Sequence, residues 1–194
     1  MCQQVLCSLP SLNLSICTDQ SPQLYKLVES RDVDIGLVSY QATFQHVDIS
    51  FTFEQKMCVI RNCQEGTLNK VLHPSDLSAK DEIILNWGQR YWNWHNQWWE
   101  PNDHPHIVID SMIMLRHLLR TPGSWAVVPR IDFPVNADLP LEICDLGEYN
   151  PPNRPIYLIE QHSGRPNRKT AVLEFKHALE TFITDSPDLC LCSL

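Results

Sequence analysis

The chain has 194 residues, which suits one domain of moderate size or two small lobes. Hydrophobic residues make up 43% and charged residues 20%, the balance of a globular protein with a packed core. The formal net charge is -8, and the basic residues are scattered apart from Arg165, Arg168 and Lys169, which argues against direct binding of nucleic acid. No apolar run approaches the roughly 18–20 residues that span a bilayer, so no membrane partner is expected. Residues 1–9 lack the basic-then-apolar order of a secretion signal.

The eight cysteines are Cys2, Cys7, Cys17, Cys58, Cys63, Cys144, Cys190 and Cys192. None form a CxxC pair, and without a secretion signal they read as reduced cytosolic thiols, several of them in the core. Cys190 and Cys192 fall in what reads as a frayed C-terminal tail.

Taken in chain order, residues 5–9 read as the end of a helix stopped by Pro10. Residues 12–17 (LNLSIC) alternate apolar and polar, the period of a half-buried strand. Ser21 before Pro22 reads as an N-cap followed by a first-turn proline, with Leu24, Leu27 and Val28 on one face of the helix that follows. Residues 33–38 (VDIGLV) read as a buried strand, which makes a βαβ unit with parallel strands. A second region begins near Val47, with strands at 56–61, 82–86 and 106–109 and a short helical turn near 73–77. Residues 91–99 read as an aromatic helix, 101–105 as a turn and 111–119 as a helix with Met112, Leu115, Leu118 and Leu119 apolar. Strands follow at 125–128, 141–146 and 155–159. Residues 170–183 form an amphipathic helix with Ala171, Phe175, Ala178, Leu179 and Phe182 on its apolar face, ended by residues 185–187. Strands and helices alternate throughout, so the fold class is α/β.

No GxSxG, HExxH or P-loop occurs, so no catalytic residue is assigned. His95, His104, His106 and His117 invite a zinc site, but His104 and His106 lack the usual helical ligand spacing. Exposed loop histidines are the simpler reading, and neither metal nor cofactor is expected.

The order of segments resembles the effector-binding domain of LysR-type transcriptional regulators over nearly the whole chain. The residues that carry it are 9–16 leading into a strand, 21–28 as cap and helix, and Asp34-Ile-Gly-Leu37 as the short strand. Residues 57–60, 72–77, 115–129 and 171–179 continue the same order. The N-terminal winged helix-turn-helix of these regulators has no counterpart here, and the first strand of the sensing domain, with the loop after it, is expected to be missing or cut short before Met1.

The resemblance implies a two-lobed, type 2 periplasmic-binding-protein-like fold, each lobe a mixed sheet flanked by helices. Lobe I is expected at residues 1–46 and 163–194, and lobe II at 47–162. A small anionic metabolite is the implied effector, held in the cleft between lobes in a cytoplasmic regulator. Candidate contacts are Thr18, Gln20 and Ser21 in one loop, and Ser39 and Tyr40 at the hinge. Others are Trp87, Gly88 and Gln89, and then Ser124 and Trp125 beside Gly123. Ser21 could place its hydroxyl and the helix N–H groups on one anion, or could simply cap the helix. Five of the six tryptophans lie in residues 87–99, either as an aromatic wall to the cleft or as core packing with Trp87 nearest the ligand.

In this family two sensing domains pair antiparallel, which implies a homodimer, with a tetramer as a further form of the full-length regulator. The strand at 12–17 and the first helix would face the partner's 111–120. DNA would be reached only through the separate N-terminal domain. The rival readings are a solute-binding protein of the same fold, against which the missing signal peptide and the cysteines count, and an enzyme on the same scaffold.

Overall fold

The structure is a computed structural model, and it describes residues 13–63, 71–100, 107–132 and 140–192. The readings of a helix end at 5–9 and a turn at 101–105 lie outside those residues, as do Cys2, Cys7, His104 and His106. The chain divides into two compact units, residues 1–55 with 155–194, and residues 56–154.

The second unit is layered by strand alternation. β3 (Met57–Asn62) is the middle strand of a three-stranded antiparallel sheet, between β6 (Trp125–Pro129) and β7 (Leu141–Cys144). Its first four residues are all buried, because successive side chains enter opposite faces and both faces are covered. Met57 and Val59, with Trp125 and Val127 across the register, join one cluster with Leu77, Trp94 and Trp99. Cys58 and Ile60, with Ala126 and Val128, join the other with Leu115 and Leu119. Each fully buried side chain of this size contributes roughly 1.5–3 kcal/mol.

The tryptophan-rich α2 (Gln89–His95) covers the first face, and α3 (Met112–Leu118) covers the second. In α3, Leu115 and the following Leu119 are fully buried while Met112 and Leu118 pack partly, as their spacing predicts. β4 (Ile83–Leu85) and β5 (Ile107–Ile109) form a two-stranded parallel sheet beside them.

The first unit holds a four-stranded sheet in the order β1 (Ile35–Val38), β8 (Arg154–Gln161), β2 (Val47–Gln55), β9 (Leu189–Cys192). α1 (Ser21–Glu29) lies over β1, burying Tyr25 and Val28 against Val38 and Ile159. Gly36 permits that approach: a Cβ there would sit 2.9 Å from Ile159 Cγ1 and 3.4 Å from Val28 Cγ2. α4 (Lys169–Asp185) buries Leu179 and Ile183, so its apolar face is turned slightly from the one expected, with Ala171, Phe175, Ala178 and Phe182 half-buried.

Several expectations need correction. Residues 13–20 form neither strand nor helix, and Leu14 and Ile16 stay 37% and 58% exposed. Alternation marks a surface able to pair but does not supply a partner strand, so the parallel βαβ pairing is not made. Among the described residues β1 instead pairs antiparallel with β8, from Ile35 opposite Glu160 to Val38 opposite Tyr157. The tail that reads as frayed is β9, held antiparallel on β2 with Leu189 opposite Gln55. β2 itself escapes the sequence reading, although its FTF alternation signals it. The two compact units divide at 55/56 and 154/155, and β2 and β8 are inner strands of the first unit's sheet.

Candidate functional site

The candidate residues fall into two sets, one in each unit. In the first unit Ser21 opens α1 rather than capping it: Gln20 holds the cap position, without a side-chain cap bond. Ser21 Oγ accepts the Ser39 N–H at 3.3 Å, which ties the start of α1 to the end of β1. A hydroxyl that accepts one bond keeps its O–H as a donor. The helix N–H cage expected around an anion is not formed. Gln23 and Leu24 N–H both donate to the Gln20 carbonyl, Pro22 has none, and Gln20 N–H donates to Asp19 Oδ1 at 2.7 Å.

One turn along α1, Tyr25 does what the sequence reading missed. Its hydroxyl donates to the Tyr40 carbonyl at 3.2 Å and accepts the Ala42 N–H at 3.1 Å. Its ring stacks on Phe44 at 4.8 Å and meets Tyr40 edge-on at 6.4 Å. Burial, ahead of any other cause, raises the Tyr25 pKa, so the hydroxyl keeps its proton. The four-residue spacing from Ser21 puts both on one helix face, which is the signal that could have found it. Thr18, Gln20 and Tyr40 project from this framed loop, all exposed, while Ser39 is half-buried.

In the second unit Trp87 packs against both core clusters, donates from Nε1 to the Val127 carbonyl at 2.8 Å, and has Arg154 Cζ 4.8 Å over its ring. Gly88 has φ 90 with open space where a Cβ would stand, and its N–H donates to Asn86 Oδ1 at 3.0 Å. Gln89 begins α2, exposed, with Nε2 donating to Asn93 Oδ1. Ser124 is buried and its Oγ donates to the Thr121 carbonyl at 2.6 Å.

Trp125 is not available to a ligand. It is 0% exposed and its Nε1 donates to the Ser78 carbonyl at 2.7 Å. A glycine-serine lead-in suggests a loop, but the two-faced sheet pulls this indole into the core.

The other tryptophans also form core rather than an aromatic wall. Trp94 and Trp99 are buried with their N–H groups on the Tyr149 and Leu77 carbonyls, and Trp92 and Trp98 pack partly on the same cluster. Beneath them Glu82, with its side chain 0% exposed, accepts Tyr91 OH at 2.7 Å on Oε1 and His95 Nε2 at 2.7 Å on Oε2. His95 is therefore a buried core histidine. Among the described residues no cluster of three metal-ligating side chains occurs.

The two α/β units have the type 2 periplasmic-binding-protein-like fold. The family model of the LysR substrate-binding domain matches residues 4–180, and the chain belongs to that family: it is an effector-sensing domain of a LysR-type transcriptional regulator. The reduced form of OxyR from N. meningitidis is similar, with TM-score 0.72 and 16% identity over 99% of this chain and 90% of that one. A full-length OxyR variant from Pseudomonas aeruginosa has TM-score 0.70 and 16% identity, over 91% of this chain and 62% of its own. Full-length CbnR in complex with its target DNA has TM-score 0.67 and 14% identity, over 95% of this chain and 65% of its own. No curated protein sequence matches the chain. Among the described residues no helix is long and apolar enough to cross a membrane.

Proposed function

We propose that this domain takes up a small anionic metabolite, with two separate sets of candidate contacts: Thr18, Gln20, Ser21, Ser39 and Tyr40 in its first unit, and Trp87, Gly88, Gln89 and Ser124 in its second. The observation that carries the reading is the Ser21–Ser39 bond, in which the Ser21 hydroxyl oxygen accepts the Ser39 N–H next to the exposed Tyr40, leaving that hydroxyl a donor for a ligand. The positive end of the α1 dipole adds to that donor. Binding without turnover is the proposed activity, as the family is one of ligand-binding domains. Among the described residues Cys17, Cys144, Cys190 and Cys192 are free thiols, which supports a reducing, cytoplasmic setting.

In the full-length regulator DNA would be held by a winged helix-turn-helix domain, with this domain setting its response. A homodimer is the proposed assembly. Ile113 and Met114 on α3 are 75% and 49% exposed and Val108 on β5 is 68% exposed, apolar surface that a second copy would cover. Ile113→Glu is expected to yield monomers in sedimentation.

Thermal unfolding against a panel of small carboxylates, aromatic acids and amino acids tests the site. An effector at about a hundred times its dissociation constant adds about 2.7 kcal/mol. Ser21→Ala and Trp87→Ala are each expected to diminish the shift. A shift that survives both changes would remove these residues from the site.

A further inference from the structure

The first unit carries a groove of about 530 Å³ that none of the candidate contacts touches. It lies at the far end of α1 and β1 from Ser21 and Ser39: Arg31 follows the end of α1, and Val33 and Asp34 precede β1. α1 is nine residues long, so the two ends stand roughly 13 Å apart along it.

The charges of the groove do not cancel. Two of its three carboxylates are met by permanent cations, Asp34 by Arg168 at 2.6 Å and Glu160 by Lys176 at 2.7 Å, and the third, Asp48, lies 2.7 Å from His162 Nδ1. Three cations of the same lining, Arg31, Arg165 and Lys169, have no carboxylate partner among the described residues. This local excess of positive charge stands on a chain of net charge -8, so the groove runs against the field of the whole molecule.

The guanidinium groups are also held in place. Arg31 Nε donates to Gln161 Oε1 at 2.6 Å, and Gln161 Nε2 donates in turn to the Glu29 carbonyl at 2.9 Å. Arg165 Nη2 donates to the Arg31 carbonyl. Arg31 itself has φ 68, a left-handed position after a helix that usually falls to glycine, whose substitution by an L-residue strains the backbone. The remaining walls include Val33, Val172 and Leu173, an apolar surface next to the cations.

We propose that this groove is a second ligand site that takes a small phosphomonoester, the phosphate on Arg31, Arg165 and Lys169 and the organic part on the apolar wall. Fixed, planar guanidinium groups suit the tetrahedral oxygens of phosphate, which accept two N–H bonds from one fork. The groove is larger than phosphate alone requires, and its apolar wall gives the rest of the molecule a place.

Isothermal titration of the 194-residue chain with inorganic phosphate, glycerol phosphate and adenosine monophosphate tests this, against sodium chloride at matched ionic strength. Saturable binding is expected for all three phosphates, about tenfold tighter for a phosphomonoester whose organic part reaches the apolar wall. Lys169→Gln, at an exposed position, is expected to weaken binding about tenfold. Arg31→Gly keeps the left-handed backbone at no steric cost, so it should fold at least as stably while losing affinity. Ser21→Ala should leave phosphate binding unchanged, which separates this site from the effector contacts. No saturable heat beyond the chloride control, or affinity untouched by Lys169→Gln and Arg31→Gly, would overturn the site. Equal affinity for inorganic phosphate and both phosphomonoesters would overturn the role of the apolar wall.

Discussion

Glu82 and His95 meet at 2.7 Å beneath the tryptophan cluster, with side chains 0% and 5% exposed. The same carboxylate accepts Tyr91 OH, so one buried acid anchors two positions of α2 to the strand side of the core. The Tyr91 hydroxyl is driven to a higher pKa by burial first and by the Glu82 charge second, so it stays a donor throughout the ordinary pH range. Glu82→Ala would leave His95 and Tyr91 buried without their acceptor. It is expected to cost about 3–5 kcal/mol in urea unfolding, with Glu82→Gln costing less because it keeps the shape and an acceptor oxygen. A loss under about 1 kcal/mol would mean that water replaces the carboxylate.

Gly36→Ala brings a methyl group against Ile159 and Val28. The contact is with Ile159 Cγ1, part of a branched side chain that cannot swing clear, so overpacking of about 1–3 kcal/mol is expected. Denaturant midpoints measure it. The double change with Ile159→Val should recover part of the loss by removing a methyl from the contact.

The thiols should separate by depth. Cys144 is buried, and desolvation pushes its pKa up to about 11, so it is almost wholly protonated at neutral pH. Cys58 is buried as well, whereas Cys17 and Cys190 are exposed. A thiol reagent at neutral pH is expected to modify Cys17 and Cys190 quickly, and to reach Cys58 and Cys144 only on unfolding. Peptide mapping after timed labelling identifies each one.

Asp145 gives the pH dependence a definite sign. Its Oδ1 accepts the Gly147 N–H at 2.8 Å and Asn150 Nδ2 at 3.3 Å, and these bonds, the backbone one first, lower its pKa. A depressed carboxyl adds stability above its unfolded pKa of about 3.9, and that stability fades as pH falls through the lower folded value. Asp145→Asn is expected to flatten this acid limb of the stability curve while leaving the neutral-to-alkaline limb in place. Unfolding midpoints taken from pH 7 down to pH 2 would show it.

Much of the second unit is legible in the sequence because its elements carry their own signals. The helix spacing of Leu115 and Leu119 and the apolar runs at 57–60 and 125–128 each name their buried residues without reference to the rest of the chain. The candidate contacts were less legible. The sequence points to Ser21 and Ser39 but not to the bond that joins them, nor to Tyr25, the residue that ties the loop.

By itself the sequence determined the α/β class, the order of the second unit's elements and the family, since these rest on local periodicity and on the succession of short motifs along the chain. Tertiary structure alone decided that Trp125 is core, that residues 189–192 are a strand, and that Glu82 holds Tyr91 and His95. It also decided that three cations without a carboxylate partner share one groove with two acids already paired to cations. Each of those depends on which distant segment covers or pairs with a residue, and a residue's own neighbours in sequence carry no record of that.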